Sequence, residues 1–391
     1  MSKSKGAMLT AIDPHISELL ITHLRNDTTD LGDADLLVPV ANFVDPGRAA
    51  AEQALMRTLP LVAGLSSELP KPGAFVTRDV LGVPLILTRR RDGSVAGMVN
   101  MCKHRGGRVE DRPCGSTRFF HCAYHGWTYS ADSGDLTRVP YEHFFGSIDK
   151  SADGLTLVRV EEAHGLLWVI LAGDGWSIAE YLGPEVERQL ELCDFSNASS
   201  IFLDRTFCLD MNWKLVLDGS IDILHPKFLH PQGVGKLIET QTTVWRTYGR
   251  HGQGFSPRTK MTKLAKACEP IESASSYVGS NLFIYPNVNV IATPDHIEFW
   301  TVWPDPQNTG RSTVNIRLLI AHQKLDDRMR ARMARSWEIL EQAALQEDWP
   351  MAASIQRNAE ACPRGMFRYG RNEQSCAHLH RQLTEDLGSS S

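Results

Sequence analysis

Two short motifs constrain this chain more than any other feature: Cys102-Lys-His104 and, after seventeen intervening residues, Cys122-Ala-Tyr-His125-Gly126-Trp127. Each supplies one thiolate and one imidazole. Two Cys and two His can hold a tetrahedral zinc, or a [2Fe–2S] cluster in which one iron takes both Cys and the other both His. The grouping separates these readings. A zinc finger collects a Cys pair and then a His pair, whereas here each metal of a dinuclear centre would draw one ligand from each loop. The spacing favours a cluster clamped between two hairpin tips.

The flanking sequence supplies such hairpins. Short apolar runs at 75–81, 83–88 and 95–100 alternate with turn residues such as Asp92-Gly93, and the pattern resumes at 119–122, 127–130, 155–160 and 166–171. This predicts a small antiparallel β unit. Cys114, between the loops, is read as a buried thiol. Lys103, Arg105, Arg108, Arg112, Arg118 and Arg89-Arg90-Arg91 crowd the same segment, a basic surface suited to an acidic electron donor.

The residues beyond this unit need their own explanation. In Asp218-Gly-Ser-Ile-Asp222-Ile-Leu-His225-Pro-Lys-Phe-Leu-His230, Asp222 and His225 stand one helical turn apart, Pro226 breaks the helix, and His230 returns from the next loop. Two histidines lack a third ligand. A carboxylate from elsewhere would complete a facial triad that leaves positions on Fe(II) open for O2. Around these motifs the pattern predicts a helix over 178–193, an irregular helix over 212–228 and a long helix over 326–344. Strands are expected over 200–209, 242–248, 281–293, 297–303 and 312–321. The second unit is therefore α+β.

Cys-x-His-Arg-Gly followed by Cys-x-Tyr-His-Gly-Trp resembles the oxygenase branch of the Rieske family. Gly107 and Tyr124 stand where the respiratory branch carries its extra disulfide cysteines. From about residue 40 to Phe367-Arg-Tyr-Gly-Arg-Asn-Glu373 the chain looks like the large subunit of a Rieske non-heme iron oxygenase. That resemblance implies an N-terminal all-β Rieske [2Fe–2S] domain (43–172) and a helix-grip (START/Bet v 1-like) catalytic domain with an antiparallel sheet (173–391). A helical segment (1–42) would pack on the catalytic domain.

The resemblance also implies the site. Cys102, His104, Cys122 and His125 would hold the cluster; His225, His230 and Asp348 would hold the mononuclear Fe(II). Asp348 comes from Gln346-Glu347-Asp348-Trp349-Pro350, with Glu347, Glu341 and Asp327 as neighbouring alternatives. Asp222 matches the acidic residue that bridges an iron-ligating His to a cluster-ligating His of the next subunit. Implied partners are a small hydrophobic ring substrate and a ferredoxin and/or flavin reductase relaying NADH electrons, since the chain has no dinucleotide fingerprint of its own. A head-to-tail homotrimer is implied, with a small β subunit as an option. Gly219 stands where the family often shows Asn, and Leu224 where its ring-dihydroxylating branch shows Tyr. This Asp-x-x-x-Asp-x-x-His form is closer to monooxygenases and demethylases, so oxidative N- or O-demethylation is the alternative activity and a pure electron carrier the remote one. Val216, Leu217, Phe228, Phe283, Tyr285, Asn287 and Trp300 are candidates for the substrate pocket, each with ordinary core as its competing role.

Composition excludes other classes. With 41 Lys+Arg against 46 Asp+Glu the net charge is −5, and no basic run gives a footprint for nucleic acid. No stretch is apolar enough to span a membrane. Eight cysteines are too sparse for a disulfide scaffold, and the opening residues never develop an apolar run, so a cytoplasmic enzyme is expected.

Overall fold

The computed structural model describes residues 12–196, 200–271, 273–293, 296–320 and 325–388. They form two compact units, one built from Met56–Tyr181 together with Phe195 and Ser196, and the other from the rest of the chain. The divisions fall at 55/56 and 181/182, later than the 42/43 and 172/173 expected from sequence. Packing explains the first: Phe43 rests 5.3 Å from Phe367 and 5.5 Å from His380, and Glu52 accepts from Trp213 and Lys214, all in the second unit. At the other end the helix Ile178–Cys193 is kinked at Gly183 (φ +70°) before Pro184, just past the division.

The Met56–Tyr181 unit is all β. A seven-stranded antiparallel sheet runs in the order Leu61–Leu65, Leu166–Ile170, Leu157–Ala163, Val95–Val99, Val83–Arg89, Ala74–Val80, Cys114–Ser116, and a three-stranded sheet joins Phe119–His121, Thr128–Ser130 and Leu136–Arg138. Phe75, Ile86, Met98, Phe120 and Tyr129 form a core that also includes Cys102 and Cys122. Cys114 departs from expectation. It is exposed, because it lies on a short strand at the sheet edge.

The second unit contains a seven-stranded antiparallel sheet in the order Ser200–Leu209, Ser312–Ile320, Ile297–Pro304, Val288–Ala292, Val278–Ile284, His251–Pro257, Val244–Tyr248. The single strand expected over 281–293 is a hairpin with Ile284 paired to Val288. Pro286 has no N–H to donate and interrupts the ladder. The expected helix over 212–228 is two, Trp213–Ile221 and Pro226–Leu229, separated at Asp222. Asn212 caps the first by accepting from Lys214 N at 3.0 Å. At its other end the Ser220 carbonyl accepts from Asn281 and Asn289, at 3.0 and 3.1 Å, which ties the helix to two strands of the sheet. The long helix expected over 326–344 is Asp327–Glu341, continued by a π-helical stretch, Gln342–Asp348, and a further helix, Trp349–Ala361. Among the described residues no helix is long and apolar enough to cross a membrane.

Candidate metal centres

The two Cys-His loops are built alike. In the first, Cys102 N donates to Gly107 O at 2.8 Å and Gly106 N to Cys102 O at 2.9 Å; in the second, Cys122 N donates to Trp127 O and Gly126 N to Cys122 O, both at 2.9 Å. Gly106 and Gly126 follow their cysteines by the same interval and have φ of +77° and +71°, a region that L side chains avoid. The repeated turn brings four candidate ligands together. The His104 and His125 rings meet edge to face at 4.5 Å, and His104 stacks on Trp127 at 5.1 Å. The Cys122 thiol lies against Cys102, and burial, its main cause, pushes its pKa up.

His104 Nδ1 is buried without a hydrogen-bond partner, which costs about 1–3 kcal/mol unless something else satisfies it. A metal bond would do so. On His125 the Nε2 atom accepts from Arg105 at 2.7 Å, leaving Nδ1 available. Paired thiols and two available Nδ1 atoms suit a [2Fe–2S] cluster. Tyr129 Oη lies 3.2 Å from Cys102 Sγ and accepts from Lys103 N at 3.0 Å. The basic surface is partly neutralised locally: Arg112 forks onto Glu110, Arg89 pairs with Glu162, and Arg91 lies 3.4 Å from Asp132.

The second centre joins segments far apart in sequence. His225, His230 and Asp348 offer ligand atoms that all lie within 4.8 Å of one another, a single-ion geometry. Asp348 Oδ1 is 3.3 Å from His225 Nε2 and 2.8 Å from His230 Nε2. Behind each imidazole stands another carboxylate. Asp222 Oδ2 accepts from His225 Nδ1 at 2.8 Å, while Asp222 Oδ1 accepts from Leu224 N at 2.8 Å. His230 Nδ1 bonds to Glu347 Oε2. Burial works against a charge on His225, but hydrogen bonds to Asp222 and Asp348 outweigh it and raise its pKa to about 9. Burial also opposes the Asp222 carboxylate, yet the bond from His225 prevails and holds its pKa below the usual range.

Of the neighbouring acids, Glu347 reaches the far nitrogen of His230 and not the cluster of ligand atoms. The sequence also did not reveal the bonds around Asp218, which accepts from Tyr369 at 2.7 Å and lies 3.1 Å from His380 Nε2. A cavity of about 380 Å3 opens beside the centre, lined in part by Leu215, Leu229, Met351, Ile355 and Phe367, with Asp218, Asp222 and Glu373 on its wall. None of the seven pocket candidates lines it. Val216, Leu217, Phe283, Tyr285, Asn287 and Trp300 are buried, and Phe228 is 79% exposed.

Two Cys and two His in one unit, and His225, His230 and Asp348 in the other, are thus candidate ligand sets for two metal centres. The profile of the Rieske [2Fe-2S] domain matches residues 60–148, and that of the ring hydroxylating alpha subunit (catalytic domain) matches residues 188–389, more than half the chain. The chain belongs to the ring-hydroxylating alpha subunit family. It is 31% identical over 166 residues to the alpha subunit of 2-aminobenzenesulfonate 2,3-dioxygenase from Alcaligenes sp, a match covering 42% of each chain. It is 29% identical over 219 residues to the glycine betaine monooxygenase oxygenase subunit of Pseudomonas aeruginosa, 56% of this chain and 49% of the relative. The chain thus spans about half the length of the curated relatives it matches. Its fold is similar to that of the quaternary ammonium Rieske monooxygenase CntA, with TM-score 0.77 and 17% identity over 90% of this chain and 95% of the other.

Proposed function

We propose that this chain is the terminal oxygenase component of a multicomponent Rieske oxygenase that hydroxylates a small hydrophobic ring substrate in the cytoplasm. The observation that carries this reading is the convergence of His225, His230 and Asp348 within 4.8 Å beside a cavity with an apolar wall. Three ligands on one face would leave the remaining positions of an Fe(II) open. Cys102, His104, Cys122 and His125 would hold the cluster. When bound, the cluster supplies single electrons and the Fe(II) supplies activation of O2.

This chain's own residues set the geometry. Asp222 holds the His225 ring by Nδ1, which leaves Nε2 for the metal. In a head-to-tail homotrimer the same carboxylate would accept a hydrogen bond from a cluster-ligating His of the neighbouring copy. Leu215, Leu229 and Ile355 exclude water from one side of the cavity. NADH-derived electrons would arrive through a ferredoxin and/or flavin reductase, with Arg108 and Arg118 in the basic surface that receives it.

Oxidative N- or O-demethylation is the second reading, favoured by the carboxylates of Asp218, Asp222 and Glu373 on the cavity wall, which suit a methylated ammonium. The test is iron and acid-labile sulfide per chain in anaerobically purified protein, beside His225→Ala. One iron beyond the two of the cluster, lost in the variant with sulfide unchanged, supports the oxygenase. Iron equal to sulfide in fully reconstituted protein would leave an electron carrier. With a surrogate reductase, product mass then separates hydroxylation from formaldehyde release.

A further inference from the structure

We propose that Glu347 is a positioning residue for the mononuclear metal, holding His230 from behind as Asp222 holds His225. This rests on the reading of His225, His230 and Asp348 as the ligands. Glu347 and Asp348 are consecutive, yet they engage opposite edges of one imidazole: Glu347 Oε2 bonds to Nδ1, and Asp348 Oδ1 lies 2.8 Å from Nε2. Successive residues of an α-helix point about 100° apart. Here the backbone is π-helical over Gln342–Asp348, a wider turn of the kind found at functional sites.

The two histidines differ in how they are held. His225 finds Asp222 within its own turn, three residues back, so local structure alone orients it. His230 lies at the end of a separate short helix, Pro226–Leu229, and has no acidic residue nearby in sequence. Its carboxylate comes from the helix that also brings Asp348. The bond therefore links the segment bearing the second histidine to the segment bearing the third ligand. Gln342 Nε2 donates to Glu347 Oε1 at 3.3 Å and steadies the carboxylate. With its side chain only 2% exposed, His230 has no water to replace that partner. A carboxylate on Nδ1 fixes the Nδ1–H tautomer and presents the Nε2 lone pair to the metal.

The experiment strips the mononuclear metal from the cluster-loaded full chain with a chelator, then returns Fe(II) anaerobically and follows binding by calorimetry. The cluster's visible spectrum and sulfide content report folding. Glu347→Ala should raise the dissociation constant about 10–100-fold with the cluster unchanged. Glu347→Gln, whose amide oxygen accepts the Nδ1 proton, should recover part of the loss. Glu347→Met fills the same space but accepts no hydrogen bond, and should bind no better than the alanine variant. Wild-type affinity in the alanine variant, or restoration by methionine, overturns the proposal. Wild-type chain that takes up no Fe(II) beyond its cluster overturns the triad reading as well, and is told apart because no variant is needed to see it.

Discussion

Lys214 Nζ lies 2.6 Å from Glu52 Oε2, and both side chains are 1% exposed. The pair stands at the start of the helix that leads to Asp222, and Glu52 also accepts from Trp213 Nε1 at 3.1 Å and from Arg48 Nε at 2.9 Å. Burial lowers the Lys214 pKa, and Glu52 opposes that by stabilising the cation. Removing one partner leaves a buried charge without compensation. Glu52→Ala should therefore destabilise the catalytic unit by about 3–5 kcal/mol, read as a shifted midpoint in denaturant unfolding. A change under about 1 kcal/mol would show that the pair is not essential to the fold.

Asp222→Asn keeps a hydrogen-bonding side chain of the same size but removes the charge behind His225. Both metals should remain, while NADH consumption coupled to product formation falls about 100-fold. Metal analysis and product yield per NADH check the two halves separately. Normal coupling would assign Asp222 to the local turn alone.

Metal uptake should depend on pH through His225. Its pKa is raised to about 9 in the metal-free protein, so the ring is protonated at neutral pH and an incoming metal must displace that proton. The sign follows: Fe(II) affinity should rise by about tenfold per pH unit from neutrality and level off as pH passes about 9. Anaerobic titration at several pH values measures the slope. A flat profile would mean that His225 is already neutral at pH 7.

Gly126 has φ of +71°, and a Cβ placed there would lie 3.1 Å from Pro140 Cγ. Gly126→Ala should cost about 1–2 kcal/mol in the loop and shorten the lifetime of the cluster absorbance in air. Gly93→Ala is the control, since its φ is also positive, at +89°, but its Cβ would meet nothing within 4 Å and it lies outside both motif loops. Equal loss in both variants would remove any special demand at Gly126.

What could be read from the sequence follows the range of the interactions. The Cys-His loops and the Asp222-His225-His230 run place their groups within a few residues, so spacing alone displays them. Asp348 has no local partner and came only from resemblance. Glu347 was visible as a neighbour but not as a partner of His230, because its reach depends on the π-helical turn. The residues lining the cavity escaped notice for a reason of phase. Leu215, Asp218, Gly219 and Asp222 recur at helical spacing and line the cavity, whereas Val216 and Leu217, one position off, do not. Only packing decides which stripe of an apolar helix meets open space.

The π-helical stretch before Asp348 carries a further consequence. Such a turn holds one more residue than the α-helix on either side, so deleting a single position between 342 and 347 would let the helix close into regular register. The helix Trp349–Ala361 would keep its place, because the wide turn absorbs its extra residue internally, but the side chains inside the turn would change direction. Glu347, inside that turn, would lose its reach to His230 while Asp348, at the turn's end, stayed near it. One surplus residue thus lets two consecutive carboxylates meet opposite edges of a single imidazole.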